Sequence, residues 1–200
     1  LAKDAMAGQR HSEMLLPMVQ ELLAQAGLLL SGLNGIAFGA GPGSFTGLRI
    51  ACGVAQGLAF GANLPVLGIC TLEALAEATH SERVIACLDA RMGEIYHGAC
   101  EKGEADWICV REPSLCLPRD APQVAGTGWT GCGSGFDLYG DALRTRYDGR
   151  LARIDRGMAP HAREMASLAA RRFARGEGVD PALAAPLYVR NKVALTEAER

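Results

Sequence analysis

Two hundred residues, 49% of them hydrophobic, supply enough apolar surface for a real core in one large domain or two small ones. A formal net charge of −2 excludes the basic field with which a protein grips nucleic acid unaided. The seven cysteines, at 52, 70, 87, 100, 109, 116 and 132, are odd in number and form no Cys-x-x-Cys. That pattern excludes a disulfide framework or a zinc knuckle and fits reduced thiols in a cytosolic protein.

In chain order, Leu15, Leu16, Val19, Leu22, Leu23 and Ala26 recur at helical spacing and predict a helix over 11–27, with Ser12 as cap, Pro17 near the first turn or at a kink, and Gly27 as the stop. Met14, Leu15 and Met18 cannot all face one core, so part of this surface is a partner face or a wide core contact. Asn34-Gly35 is a turn and Ile36-Ala37-Phe38 a strand. Four glycines then fall in nine residues of Gly39-Ala40-Gly41-Pro42-Gly43-Ser44-Phe45-Thr46-Gly47-Leu48-Arg49, where a strand end meets a helix start that Ser44 or Thr46 can cap. Such a junction favours an anion. No Lys follows Gly47 where a Walker A loop needs one, and the glycine spacing also fails the dinucleotide fingerprint.

The helix over 45–61 carries Gly53, Gly57 and Gly61 four apart on one face. Each glycine costs about 1 kcal/mol relative to alanine, so the stripe needs a compensating close contact. Another subunit's helix and the chain's own sheet both meet that need. The uncharged run from Ile50 to Cys70 is broken by Gln56, Asn63 and Pro65 and does not read as a membrane span.

Pro65–Ile69 reads as a strand, and Thr71 as the cap of a helix over 72–79; strand and helix alternation argues parallel pairing in an α/β layer. Val84–Leu88, Ile95–Cys100 and Trp107–Val110 follow as strands, the first two joined through Arg91-Met92-Gly93. Asp89 and Glu94 flank that turn, where a carboxylate pair can serve acid/base or metal chemistry or simply pair with Arg91. Pro, Gly, Thr and Ser cluster over 118–135; a short strand into a glycine turn is expected over 124–129, then an irregular segment to about Asp148. Leu151–Ile154 is a brief strand. Pro160 opens a helix through Arg175, with Met165, Leu168, Ala169 and Phe173 inward and Arg163, Arg171, Arg172 and Arg175 on a solvated face. Residues 185–190 are expected to be extended and 196–200 frayed.

The sequence contains no His-x-x-x-His, no His-Glu-x-x-His and no Gly-x-Ser-x-Gly elbow, so neither metal nor cofactor nor catalytic residue is expected.

Gly41-Pro42-Gly43-Ser44-Phe45-Thr46-Gly47-Leu48-Arg49-Ile50, Asp89-Ala90-Arg91-Met92-Gly93-Glu94-Ile95-Tyr96, Gly126-Thr127-Gly128-Trp129 and Pro186-Leu187-Tyr188-Val189-Arg190 together resemble the TsaB (YeaZ) family, in this order from about His11 to Arg190. That family is the dimerization subunit of the machinery making N6-threonylcarbamoyladenosine at position 37 of tRNAs. The resemblance implies an α/β, actin-like (ASKHA, ribonuclease H-like) fold of two lobes, here 1–80 and 81–200. It also implies a non-catalytic subunit without cofactor that pairs with a TsaD-type transferase, with a TsaE-type ATPase in the larger complex, tRNA engaged indirectly, and a homodimer as a further option. The first two helices would form the pairing surface through Leu15, Met18, Leu22, Ser44, Phe45, Arg49, Gly53 and Gly57. Gly41, Gly43, Asp89, Arg91, Glu94, Tyr188 and Arg190 belong to the motifs without an implied role. The resemblance departs at the start: the family begins with a strand bearing an Ile-Asp-Thr phosphate-loop remnant and a hairpin, so further residues are expected before Leu1. An ATP-binding actin-like enzyme and a metallopeptidase-like hydrolase are the competing readings.

Overall fold

The computed structural model describes residues 1–5 and 11–189. The elements are α1 (His11–Ala26), β1 (Ile36–Gly41), α2 (Phe45–Ala62), β2 (Val66–Cys70), α3 (Thr71–Ala78), β3 (Arg83–Arg91), β4 (Glu94–Lys102), β5 (Trp107–Cys116), β6 (Trp129–Cys132), α4 (Ser134–Arg146), β7 (Leu151–Asp155) and α5 (Ala162–Ala174). They build two sheets. β1 and β2 pair in parallel, joined by the α2 crossover, and β5-β4-β3-β6-β7 form a mixed sheet in which β3, β4 and β5 are antiparallel neighbours and β6 and β7 run parallel to β3.

The continuous apolar run of β1 follows from having both faces covered. Phe38 and Ala40 pack on Cys52 and Ala55 of α2. On the opposite face Ala37 joins a cluster with Met165, Leu168, Ala169 and Phe173 of α5 and Leu72 and Leu75 of α3. That cluster extends through Val84 and Ala86 to Trp107 and ties the two sheets together. A second core, on the other side of the large sheet, collects Ile85, Ile95, Trp129, Phe136, Leu143 and Tyr147.

Several expectations need correction. The segment after Gly133 is not irregular: it is α4, whose Phe136 and Leu143 are fully buried. Its glycines mark close packing rather than a loop, since a Cβ on Gly135 would stand 2.7 Å from the Cβ of Cys87 and one on Gly133 2.4 Å from the Cys87 carbonyl oxygen. The strand expected over 124–129 begins only at Trp129. Thr71 does not cap α3; it is the first helical residue, and its hydroxyl donates to the Pro42 carbonyl at 2.5 Å. Ser12 lies inside α1, and α5 starts at Ala162, after Pro160. Arg171 and Arg172 are not on a solvated face. Arg172 donates to Asp106 (2.8 Å) and Glu73 (2.6 Å), and Arg171 to Glu77 (2.8 Å), so these guanidiniums bolt α5 to α3 and to the β4–β5 turn. Arg171, with the Trp107 and Ser167 donors, holds the Glu77 carboxyl down at about 2. Among the described residues no helix is long and apolar enough to cross a membrane.

Candidate functional site

The glycine-rich loop and the start of α2 form one wall of a cleft of about 580 Å³ between the two sheets. β1 ends at Gly41, whose φ of 119° belongs to glycine, and whose absent side chain leaves room for the Leu187 carbonyl, 2.9 Å from where a Cβ would be. Ser44 is the N-cap of α2: its hydroxyl accepts from the Gly47 amide at 3.4 Å. Asp89, Ala90, Arg91, Met92 and Tyr96 from the β3–β4 hairpin line the opposite wall, with Ser134 from the start of α4. Residues 187–189 close one side.

Asp89 and Glu94 flank the turn between β3 and β4. Asp89 lines the cleft and Glu94 does not. The Asp89 carboxylate accepts from the Arg91 amide (3.0 Å) and the Tyr139 hydroxyl (3.4 Å), and Arg91 pairs with it at 3.4 Å. The Asp89 amide donates to the Ser134 hydroxyl at 3.0 Å. The carboxylate thus links the hairpin to α4. Among the described residues no group of three or more His, Cys, Asp or Glu could hold a metal ion.

Arg49 and Tyr188 meet across 139 positions of sequence. Arg49 Nε donates to the Tyr188 hydroxyl at 3.0 Å, and its guanidinium lies 3.9 Å from the Phe45 ring centre. The Leu187 amide donates to the Ala40 carbonyl at 2.7 Å, while Gln56 Nε2 donates to the Pro181 and Ala184 carbonyls. The extended tail is thus laid along α2 as a strap. Arg190 lies outside the described residues.

The remaining surface residues fall on two different sides of α2. Leu15 and Leu22 of α1, with Ala51, Val54 and Leu58 of α2 and Met165 and Phe173 of α5, line an apolar groove of about 1170 Å³ beside β1. Met18 is half-buried and outside that lining. Gly53, Gly57 and Gly61 are exposed, and among the described residues a Cβ on any of them would meet nothing within 4 Å. The chain's own sheet is met instead by Cys52, Ala55 and Ala59. Phe60, 60% exposed, was missed from the sequence although it stands seven residues beyond Gly53 on the same helical face. Ser134, which lines the cleft, and Tyr139, which reaches Asp89, were also missed; both lie on α4, with no local signal to find them.

Two parallel crossover strands, a mixed five-stranded sheet and a cleft between them define an α/β protein of the actin-like class. A family model described as TsaD, tRNA N6-adenosine threonylcarbamoyltransferase, matches residues 5–114. Over 196 residues the chain is 37% identical to the tRNA threonylcarbamoyladenosine biosynthesis protein TsaB of Escherichia coli (strain K12), covering 93% of this chain and 83% of that protein. It is 35% identical over 203 residues to the TsaB of Haemophilus influenzae, covering 95% and 84%. Among solved structures, a Pseudomonas aeruginosa protein described as uncharacterized with similarity to peptidase YEAZ superposes with a TM-score of 0.82 at 40% identity, covering 90% of this chain and 84% of that one. A structure described as YeaZ from the same organism gives 0.80 at 40% identity. The chain belongs to the TsaB (YeaZ) family.

Proposed function

We propose that this chain is a non-catalytic, cytoplasmic subunit in the biosynthesis of threonylcarbamoyladenosine on tRNA, and that it works by clasping a TsaD-type transferase. Membership of a family whose named relatives are tRNA threonylcarbamoyladenosine biosynthesis proteins supplies the pathway. The observation that carries the clasp is the open glycine stripe of α2. Three glycines cost the helix about 3 kcal/mol relative to alanine, and among the described residues nothing stands within 4 Å of where their Cβ atoms would be to offset it. A second helix laid on Gly53 and Gly57, with Phe60 and Phe45 at its margins, gains the close contact that a Cβ would prevent. Likeness to a TsaD family model over residues 5–114 suits a partner presenting an equivalent helix face, so that the pair approaches two-fold symmetry. Residues 1–80 then carry the clasp and 81–200 form the second lobe. A TsaE-type ATPase joins the assembled pair, and tRNA is met through the transferase. The same stripe also serves a homodimer in the partner's absence.

Mixing the chain with a TsaD-type transferase and measuring the complex by size-exclusion chromatography with light scattering tests the clasp. Gly57→Leu abolishes the complex on this reading; wild-type affinity in that variant rules the stripe out. Titration calorimetry with ATP and magnesium separates the competing enzyme reading, which requires tight binding by this chain alone.

A further inference from the structure

We propose that Cys100 and Cys109 form a peroxide-oxidisable thiol pair that closes to a reversible disulfide across the β4–β5 hairpin. The two residues are direct register partners in the antiparallel ladder. Opposed Cα atoms in such a ladder lie about 4.5 or about 5.5 Å apart, and both spacings fall within the roughly 4.4–6.8 Å that a disulfide spans. Register partners in such a ladder put their side chains on the same face of the sheet, so the two thiols are cross-strand neighbours. Cys100 lies in the core, 4% exposed, while Cys109 is half-buried on β5, the edge strand of the large sheet, where a small oxidant reaches it. The Cys109 side chain also donates to the Arg111 carbonyl at 3.2 Å, which fixes its rotamer.

The seven thiols are not equivalent. Burial pushes Cys52, Cys70, Cys87, Cys116 and Cys132 up, Cys70 and Cys116 to about 11. Cys100 is pushed up by the neighbouring Cys109 thiol first and by burial second. Cys109 alone is lowered, by the hydrogen bond from Cys100 first and with help from the Arg111 backbone, against burial and the charges of Glu112 and Glu73. The thiolate is the form that reacts.

The step balances with hydrogen peroxide as oxidant. The Cys109 thiolate attacks one peroxide oxygen; the S–O bond forms, the O–O bond breaks, and hydroxide leaves to be protonated by solvent. The Cys100 sulfur then attacks the sulfenic sulfur; the S–S bond forms, the S–O bond breaks, and water leaves with the Cys100 proton. One peroxide becomes two waters and two thiols become one disulfide, which a small thiol such as glutathione reverses by exchange. The closed loop carries Asp106, which accepts from Arg172 and Arg175, and Trp107, whose indole donates to Glu77. Oxidation therefore fastens the turn that pins α3 and α5 to the sheet.

The test treats the full chain with hydrogen peroxide, caps free thiols with N-ethylmaleimide and digests with trypsin, which separates Cys100 in peptide 92–102 from Cys109 in peptide 103–111. Peptide mass spectrometry is expected to find these two peptides cross-linked, and the link lost after dithiothreitol. In Cys109→Ser the cross-link is lost and Cys100 stays alkylatable; in Cys100→Ser a dimedone adduct collects on Cys109. A link from Cys109 to the peptide holding Cys70, or both thiols still capped after peroxide, or Cys109 running to sulfinic acid while Cys100 stays free, overturns the proposal. The wild-type map needs neither variant to fold.

Discussion

His97 is fully buried in β4, and its protonation should set the acid limit of the fold. The Tyr147 hydroxyl donates to the Pro122 carbonyl at 2.8 Å, so its oxygen accepts from His97 Nε2–H, also at 2.8 Å. His97 Nδ1 is buried without a hydrogen-bond partner among the described residues. Burial first, and the charge of Arg111 second, push the imidazole down to about 4 from its ordinary 6.5. The unfolded chain therefore takes up a proton near pH 6.5 that the folded chain refuses until about pH 4, and stability falls with pH across that window. At about 1.4 kcal/mol per pH unit the loss is about 2 kcal/mol by pH 5 and approaches about 3.4 kcal/mol below pH 4. Glu77 and Asp106 are both down at about 2, Asp106 against burial through the bonds from Arg172 and Arg175, so their stabilisation is lost only below the ordinary carboxylate range and does not change between pH 6.5 and 5. Urea unfolding followed by tryptophan fluorescence at about pH 7.5 and about pH 5 measures the loss. His97→Gln keeps a donor for Tyr147 and removes the titration, so its stability should barely change between the two conditions. An equal loss in wild type and variant would refute the reasoning.

Gly57→Ala should raise the stability of the isolated chain by about 1 kcal/mol, because the added methyl meets open space and favours the helix, while complex formation with the transferase weakens; thermal melts and a binding titration read the two effects. Gly135→Ala points the other way, since its Cβ would stand 2.7 Å from that of Cys87, and should cost about 1–3 kcal/mol in denaturant unfolding. Asp106→Asn removes the charge shared by Arg172 and Arg175 and should cost about 2 kcal/mol, diminishing with added salt. Tyr188→Phe deletes the 3.0 Å bond from Arg49 at an exposed site. It should change global stability by less than about 1 kcal/mol yet speed proteolysis within 184–189, which limited digestion detects.

Much of the site was legible because its signals are local. The loop from Gly39 to Arg49 announces a strand-to-helix junction by composition, and Ser44 caps where its spacing to the first turn says it should. The stripe at 53, 57 and 61 follows from helical period alone. What could not be read was which way each face points. The glycines turn to solvent because Cys52, Ala55 and Ala59 pack better on β1, and Leu15 and Leu22 turn to a groove on the other side of the same helix.

By itself the sequence determined the alternation of strands and helices up to about residue 110, the family, and the place of the glycine-rich loop, since periodicity and turn chemistry act over a few neighbouring residues. Only the tertiary structure decided that 134–146 is a helix, that Arg171 and Arg172 of α5 are bolted to acids on α3 and in the β4–β5 turn, and that Tyr188 closes on Arg49. The physical reason is range. A glycine reads as a turn until a strand packs where its side chain would be, and a charge reads as solvated until a distant carboxylate arrives beside it.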